Sequence, residues 1–205
     1  MHAPKQSHME AALRVLRYLK NKPCLGILMS SKSEMKLTTY CDSDWATCPM
    51  SRKSLTGFCV KLGDSLVSWK TKKLATTSRF SVEAKYRAMA SATCETIWIL
   101  GLLKDLNVKG PEPVSLFCDN KTALHIIANP TYHERTKYIE IDCHLIREKV
   151  RYHIVKTEYI QTQEQPVDLL TKALGKAQHQ YLLHKLGVLN ICNTSSLRGS
   201  VENKD

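Results

Sequence analysis

An α/β fold built on one mixed sheet is predicted by three observations. Three β-like runs come first, Met35 to Cys41, Leu55 to Leu62 and Ser65 to Trp69, bounded by polar or glycine-containing turns. A long helical pattern follows from about Ser81 to Leu106, with apolar residues at 82, 86, 89, 93 or 94, 97, 100 and 103. Two more short strand-like runs then alternate with helical segments. The order is β-β-β-α-β-α-α-β-α behind a helical preface, which implies a five-stranded mixed sheet flanked by helices.

The preface is a short N-terminal extension of one helix and one strand. Residues 9 to 20 place apolar groups at 9, 12, 13, 16 and 19 with basic residues between them, and Asn21-Lys22-Pro23 ends the helix. Leu25 to Met29 reads as a strand, and Ser30-Ser31-Lys32-Ser33-Glu34 as a boundary turn. We therefore expect a separate piece over 1–34, the main domain over 35–190 and a disordered polar tail over 191–205.

Within the main domain, Gly63-Asp64 joins the second and third runs into an antiparallel meander, and the basic stretch Lys70-Thr71-Lys72-Lys73 follows it. Gly110-Pro111-Glu112-Pro113 closes the region of the long helix. Val114 to Cys118 is nearly continuous in apolar residues, as an interior strand requires. Asp119-Asn120 leads into a helix over Lys121 to Ala128, stopped by Asn129-Pro130. A loop with His133, Glu134, Arg135 and Lys137 precedes a helix of about 139–152; Val155 to Thr162 is the fifth strand, and helical sequence resumes at Val167, interrupted at Gly175.

Bulk properties narrow the function. The 205 residues suit one domain and an extra segment. No apolar run reaches the roughly 20 residues of a membrane helix, and no secretory or organellar leader is recognisable at the N-terminus, so cytosol or nucleus is expected. A net charge of +11 points to a polyanionic partner, because basic surfaces attract phosphate backbones and release their counterions. The eight cysteines contain no Cys-x-x-Cys pair, and we expect dispersed reduced thiols rather than disulfides or structural zinc.

Four acids stand at element ends: Asp42 after the first run, Glu83 in the first turn of the long helix, Asp119 after the fourth run and Asp168 at the start of the last helical region. Each alone is explained as a turn, cap or first-turn acid. Together they form an oxygen-only set suited to Mg²⁺ or Mn²⁺, and two such ions can activate water and stabilise a leaving 3′-oxygen in phosphodiester hydrolysis. Asp44 competes with Asp42, which we favour because it directly follows the strand.

Seven ordered motifs carry a resemblance. Tyr40-Cys41-Asp42-Ser43-Asp44-Trp45-Ala46, Gly57-Phe58, Ser68-Trp69-Lys70-Thr71-Lys72-Lys73, Ser81-Val82-Glu83-Ala84-Lys85-Tyr86-Arg87-Ala88-Met89-Ala90 and Asp119-Asn120-Lys121-Thr122-Ala123 resemble the ribonuclease H domain of copia-type retrotransposon polyproteins, the plant members above all. His133-Glu134-Arg135-Thr136-Lys137-Tyr138-Ile139-Glu140-Ile141-Asp142 and Val167-Asp168-Leu169-Leu170-Thr171-Lys172 complete the set. The resemblance covers residues 2–190. It implies a ribonuclease H-like fold that cuts the RNA strand of RNA–DNA hybrids with two Mg²⁺ (or Mn²⁺) ions, held by Asp42, Glu83, Asp119 and Asp168. It further implies the reverse transcriptase region of the same polyprotein as original partner, no membrane, and a cytoplasmic particle in an intact element. The preface resembles the segment after the polymerase thumb, and no Tyr-x-Asp-Asp polymerase motif is found, so a carboxyl-terminal fragment is expected.

Departures motivate an alternative, a catalytically inactive nucleic-acid-binding fragment. Thr47 and Cys48 stand where the family usually has Gly and Asp, Lys85 where it usually has a second acid after Glu83-Ala84, and Tyr138 where His is usual; residues 162–167 contain no histidine. An integrase-type arrangement is disfavoured because Glu83 precedes Asp119. Substrate contacts are expected from Trp45 by stacking, from Lys70, Lys72, Lys73, Arg135 and Lys137 to phosphates, and from Asn120 to a ribose 2′-hydroxyl. Each has a structural explanation as well: rim packing, a solvated basic loop, a helix cap.

Overall fold

The computed structural model describes residues 3–108, 110, 112–129 and 140–192. Helix α1 (Gln6–Asn21) and strand β1 (Leu25–Ile27) form the preface. Strands β2 (Leu37–Asp44), β3 (Leu55–Leu62) and β4 (Ser65–Lys73) follow, then helix α2 (Ser81–Asp105), strand β5 (Val114–Cys118), helices α3 (Lys121–Ala128) and α4 (Glu140–Arg151) and strand β6 (Val155–Tyr159). A 3-10 turn at Thr162–Glu164, helices α5 (Asp168–Thr171) and α6 (Lys176–Lys185) and strand β7 (Val188–Asn190) complete the order.

The main sheet has five strands in the order β4-β3-β2-β5-β6. The first three form the expected antiparallel meander, and β5 and β6 run parallel to β2 and to each other. β4 extends beyond Trp69 through Lys73, so Lys70, Lys72 and Lys73 belong to an edge strand rather than a loop. Lysines on an edge strand also discourage pairing with another chain.

Strand alternation separates two cores. On one face Cys41, Phe58 and Val60 pack with Tyr86, Met89 and Ile99 of α2 and with Leu116 and Ile146. On the other, Cys59 and Leu66 pack with Val167 and Leu186, and Tyr40 joins them. The close approach of α5 to β3 depends on Gly57: a Cβ there would lie 3.0 Å from Val167 Cγ1 and 3.1 Å from Thr171 Cγ2.

Two features differ from the sequence expectations. β1 pairs antiparallel with β7, an unanticipated strand, so Gly26 faces Leu189 across a second, two-stranded sheet. A disulfide joins Cys24 to Cys192, with Cα atoms 5.6 Å apart, against the expectation of reduced thiols throughout. The pairing of β1 with β7 brings these two cysteines together, which their spacing in sequence could not reveal. Among the described residues no helix is long and apolar enough to cross a membrane. The tail from Asn193 and the loop carrying Arg135 and Lys137 lie outside the described residues.

Candidate active site

Parallel pairing places two of the predicted acids side by side. β2 and β5 are in register at Tyr40 and Phe117, so Asp42 and Asp119, two residues beyond, emerge together at the carboxyl ends of neighbouring strands. Asp168 approaches from the opening turn of α5, on the sheet face that also carries Tyr40. These three aspartates form one group.

The fourth position is held by a cation. Lys85 of α2 donates from Nζ to Asp42 Oδ1 and, at 2.6 Å, to Asp119 Oδ1. Lys172 lies 2.8 Å from Asp168 Oδ1 and 3.6 Å from Asp42 Oδ2. The Thr171 hydroxyl donates to Asp42 Oδ2 at 2.8 Å, and the Thr162 hydroxyl lies 3.4 Å from Asp119 Oδ2. Gln165, fully buried, donates from Nε2 to the Cys41 carbonyl at 3.1 Å and ties the chain before α5 to β2.

Glu83 is not part of this group, which corrects the expectation that four carboxylates converge. Successive residues of an α-helix are about 100° apart, so residues 83 and 85 point to nearly opposite sides of α2. Glu83 accepts from Arg87 Nη2 and from the Arg79 amide, both at 2.7 Å; the Asp142 carboxyl on α4 is raised by burial first, with Arg87 opposing and Glu83 adding to the shift. In the sequence Lys85 stands out only as a departure from the family pattern. Its signal was position: it lies on the stripe of Val82, Tyr86 and Met89, where an ammonium must find partners.

The electrostatics follow from burial and pairing. Burial pushes the Asp42 carboxyl up, but the Lys85 ammonium, helped by Lys172 and Thr171, more than reverses this and holds it below the usual carboxylate range. Burial works to lower Lys85, and Asp42 and Asp119 overcome it, so its pKa is raised and the ammonium stays charged. Asp168 is shifted upward, first by burial and then by the neighbouring Asp42, against the pull of Lys172. Three carboxylates and two ammoniums leave one net negative charge.

That arrangement does not fit two divalent ions. The Lys85 ammonium bridges the two carboxylates a shared ion would bridge, and among the described residues no three His, Cys, Asp or Glu side chains are placed to hold a metal. Unit charges about 4 Å apart at an effective dielectric of about 20 interact by about 4 kcal/mol, so a divalent ion that close to Lys85 is opposed by about 8 kcal/mol.

The remaining predicted residues are placed as follows. Asp44 ends β2 on the same side as Asp42 by strand alternation, but only Asp42 is fully buried. Asn120 caps α3, its Oδ1 accepting from the Ala123 amide at 2.9 Å. Trp45 is half exposed and donates from Nε1 to the Ser78 carbonyl at 3.0 Å. Lys70 and Lys72 line an open groove of about 500 Å³ with Arg87, Ser91 and Glu95, and Lys73 lies exposed at the end of β4.

No family model matches the chain. It is 37% identical over 191 residues to the retrovirus-related Pol polyprotein from transposon RE1 of Arabidopsis thaliana, covering 93% of this chain and 13% of that protein. It is 32% identical over 189 residues to the corresponding polyprotein from transposon TNT 1-94 of Nicotiana tabacum, covering 90% of this chain and 14% of that one. The chain thus spans a small part of the length of these relatives. Among solved structures, an N-terminal RNase H domain from Mycobacterium tuberculosis, solved as a maltose-binding-protein fusion, superposes with a TM-score of 0.51 at 10% identity, over 74% of this chain and 98% of that one. LC11-RNase H1 in complex with an RNA/DNA hybrid gives 0.51 at 11% identity, over 66% and 94%.

Proposed function

Because the chain belongs to the retrovirus-related Pol polyproteins of plant transposons and has the ribonuclease H fold, we propose that it binds RNA–DNA hybrid duplexes without the two-metal cleavage for which that fold is suited. One observation carries the second half: Lys85 Nζ sits between Asp42 and Asp119. The first half draws on the charge of +11 and on the Lys70, Lys72 and Arg87 side of the sheet, which offers cations to a phosphate backbone. Trp45 as a stacking contact and Lys73, Arg135 and Lys137 as phosphate contacts remain candidates from sequence. The reverse transcriptase region of a Pol polyprotein is the partner this reading assigns to the domain.

The test uses the full chain and a labelled hybrid. Binding should persist in EDTA without any requirement for Mg²⁺, and the logarithm of the association constant should fall linearly with the logarithm of salt concentration, with no labelled fragments released. The convergence of Asp42, Asp119 and Asp168 favours a second reading, metal-dependent hydrolysis of the RNA strand. Turnover in Mg²⁺ that Asp119→Asn removes would establish that reading instead.

A further inference from the structure

We propose that Lys85 is the resident cation of the aspartate group, so that the side chain at position 85 decides whether Asp42, Asp119 and Asp168 take up a divalent ion. The inference rests on the reading of the domain as one that binds hybrids without metal.

Every oxygen of the two strand-end aspartates is engaged within the protein. Asp42 Oδ1 and Asp119 Oδ1 accept from the Lys85 ammonium, Asp42 Oδ2 from the Thr171 hydroxyl with Lys172 close by, and Asp119 Oδ2 faces the Thr162 hydroxyl. The Lys85 side chain is only 10% exposed, so its ammonium depends on these carboxylates in place of water. A bridging ammonium of this kind does what a divalent ion does between carboxylates: it cancels their mutual repulsion and fixes their spacing. The difference lies in coordination, since an ammonium supplies hydrogen-bond donors but no open coordination position at which a water or phosphate oxygen could be ligated and activated.

The side chain that occupies this place comes from α2, and α2 is fixed by the fully buried residues on either side of it, Ala84 and Tyr86. A glutamate at 85 ends one bond short of where the lysine nitrogen reaches. It would put a third carboxylate beside Asp42 and Asp119 and open the gap between them to a cation. On the α5 side Lys172 is held 2.8 Å from Asp168 Oδ1, its own i,i+4 partner, so the change at 85 leaves that pair in place while altering the Asp42 that both lysines approach.

The experiment is a Mn²⁺ titration of the full-length wild type, Lys85→Glu and Lys85→Ala, with the ion counted by its electron paramagnetic resonance signal and folding followed by thermal unfolding in EDTA and in Mn²⁺. Wild type should bind no Mn²⁺ at this group and unfold at the same temperature in both solutions. Lys85→Glu should bind Mn²⁺ at least tenfold more tightly than wild type and lose that binding when Asp42→Asn is added. Lys85→Ala, which vacates the cation position without adding a ligand, should be stabilised by Mn²⁺. Wild-type binding that Asp42→Asn abolishes would overturn the proposal, as would equal Mn²⁺ affinity in folded wild type and folded Lys85→Glu. Hybrid binding by wild type in EDTA is read separately, so failure of the hybrid-binding reading leaves the Mn²⁺ result interpretable.

Discussion

Glu83 and Lys85, two residues apart on α2, face opposite partners: Glu83 is held by Arg87 at 2.7 Å, and Lys85 is held by Asp42 and Asp119 at the sheet's edge. Their substitution should therefore have unequal effects. Lys85→Met leaves Asp42, which is fully buried, short of its main cation, and should cost about 3–5 kcal/mol, as breaking a buried pair does. Glu83→Gln removes one charge from an intrahelical pair and should cost about 1 kcal/mol. Urea unfolding of the two variants checks this, and equal losses would contradict the geometry.

Acid should act in opposite directions on wild type and Lys85→Met. In wild type the Asp42 carboxyl is held below its ordinary value of 3.8, so its contribution is present above that pH and is lost as pH falls through the folded value. In Lys85→Met burial dominates and the carboxyl moves above its ordinary range. That variant should gain stability as pH falls from about 6 toward 4, whereas wild type gains nothing from Asp42 over this window. Unfolding free energy measured against pH gives the sign directly.

Gly57→Ala should loosen α5. The added methyl meets Val167 and Thr171 at contact distances that require one of them to move, and Thr171 carries the hydroxyl bound to Asp42. A loss of about 1–3 kcal/mol is expected, as for overpacking elsewhere. Hydrogen exchange should rise first at α5 and at the Asp42 end of β2.

Asn120→Ala should cost about 1 kcal/mol through loss of the α3 cap, and Asn120→Ser should restore most of it. Because Asn120 Oδ1 is already committed to the Ala123 amide, the preference for hybrid over DNA duplex should be unchanged in the serine variant. A lost preference there would reveal a direct contact with the ribose hydroxyl.

Much of the architecture was legible because its signals are local. The meander, α2 and β5 announce themselves through period-2 runs, a 3.6-residue stripe and a continuous apolar stretch, and all five strands of the main sheet fall on the expected runs, although β2 and β4 continue to Asp44 and Lys73 and β6 stops at Tyr159. β1 lies within the run Leu25 to Met29 that reads as a strand, but β7 carries no such signal, and the pairing of the two across more than 150 residues, with the Cys24–Cys192 link beside it, is invisible in sequence. In the site, Asp119 follows β5 as expected, whereas β2 runs on through Asp44, so Asp42 lies within the strand rather than after it; the register of β2 and β5 sets the two side by side. Residue type and first-turn position point to Glu83, but helical phase turns it away from Asp42 and toward Arg87. The same phase, applied to Lys85, shows a charge on a buried stripe.

The small β1–β7 sheet also determines how the molecule would carry tension. Leu25 lies opposite Asn190, and Cys24 is bonded to Cys192 just outside that pair. A pull transmitted along the polypeptide into Cys24 and out of Cys192 passes through a sulfur–sulfur bond and bypasses everything between them. With the bond reduced, the load falls first on the Leu25–Asn190 pair and unzips the clip one residue pair at a time. In the oxidised protein the five-stranded sheet and its aspartates are mechanically off the load path.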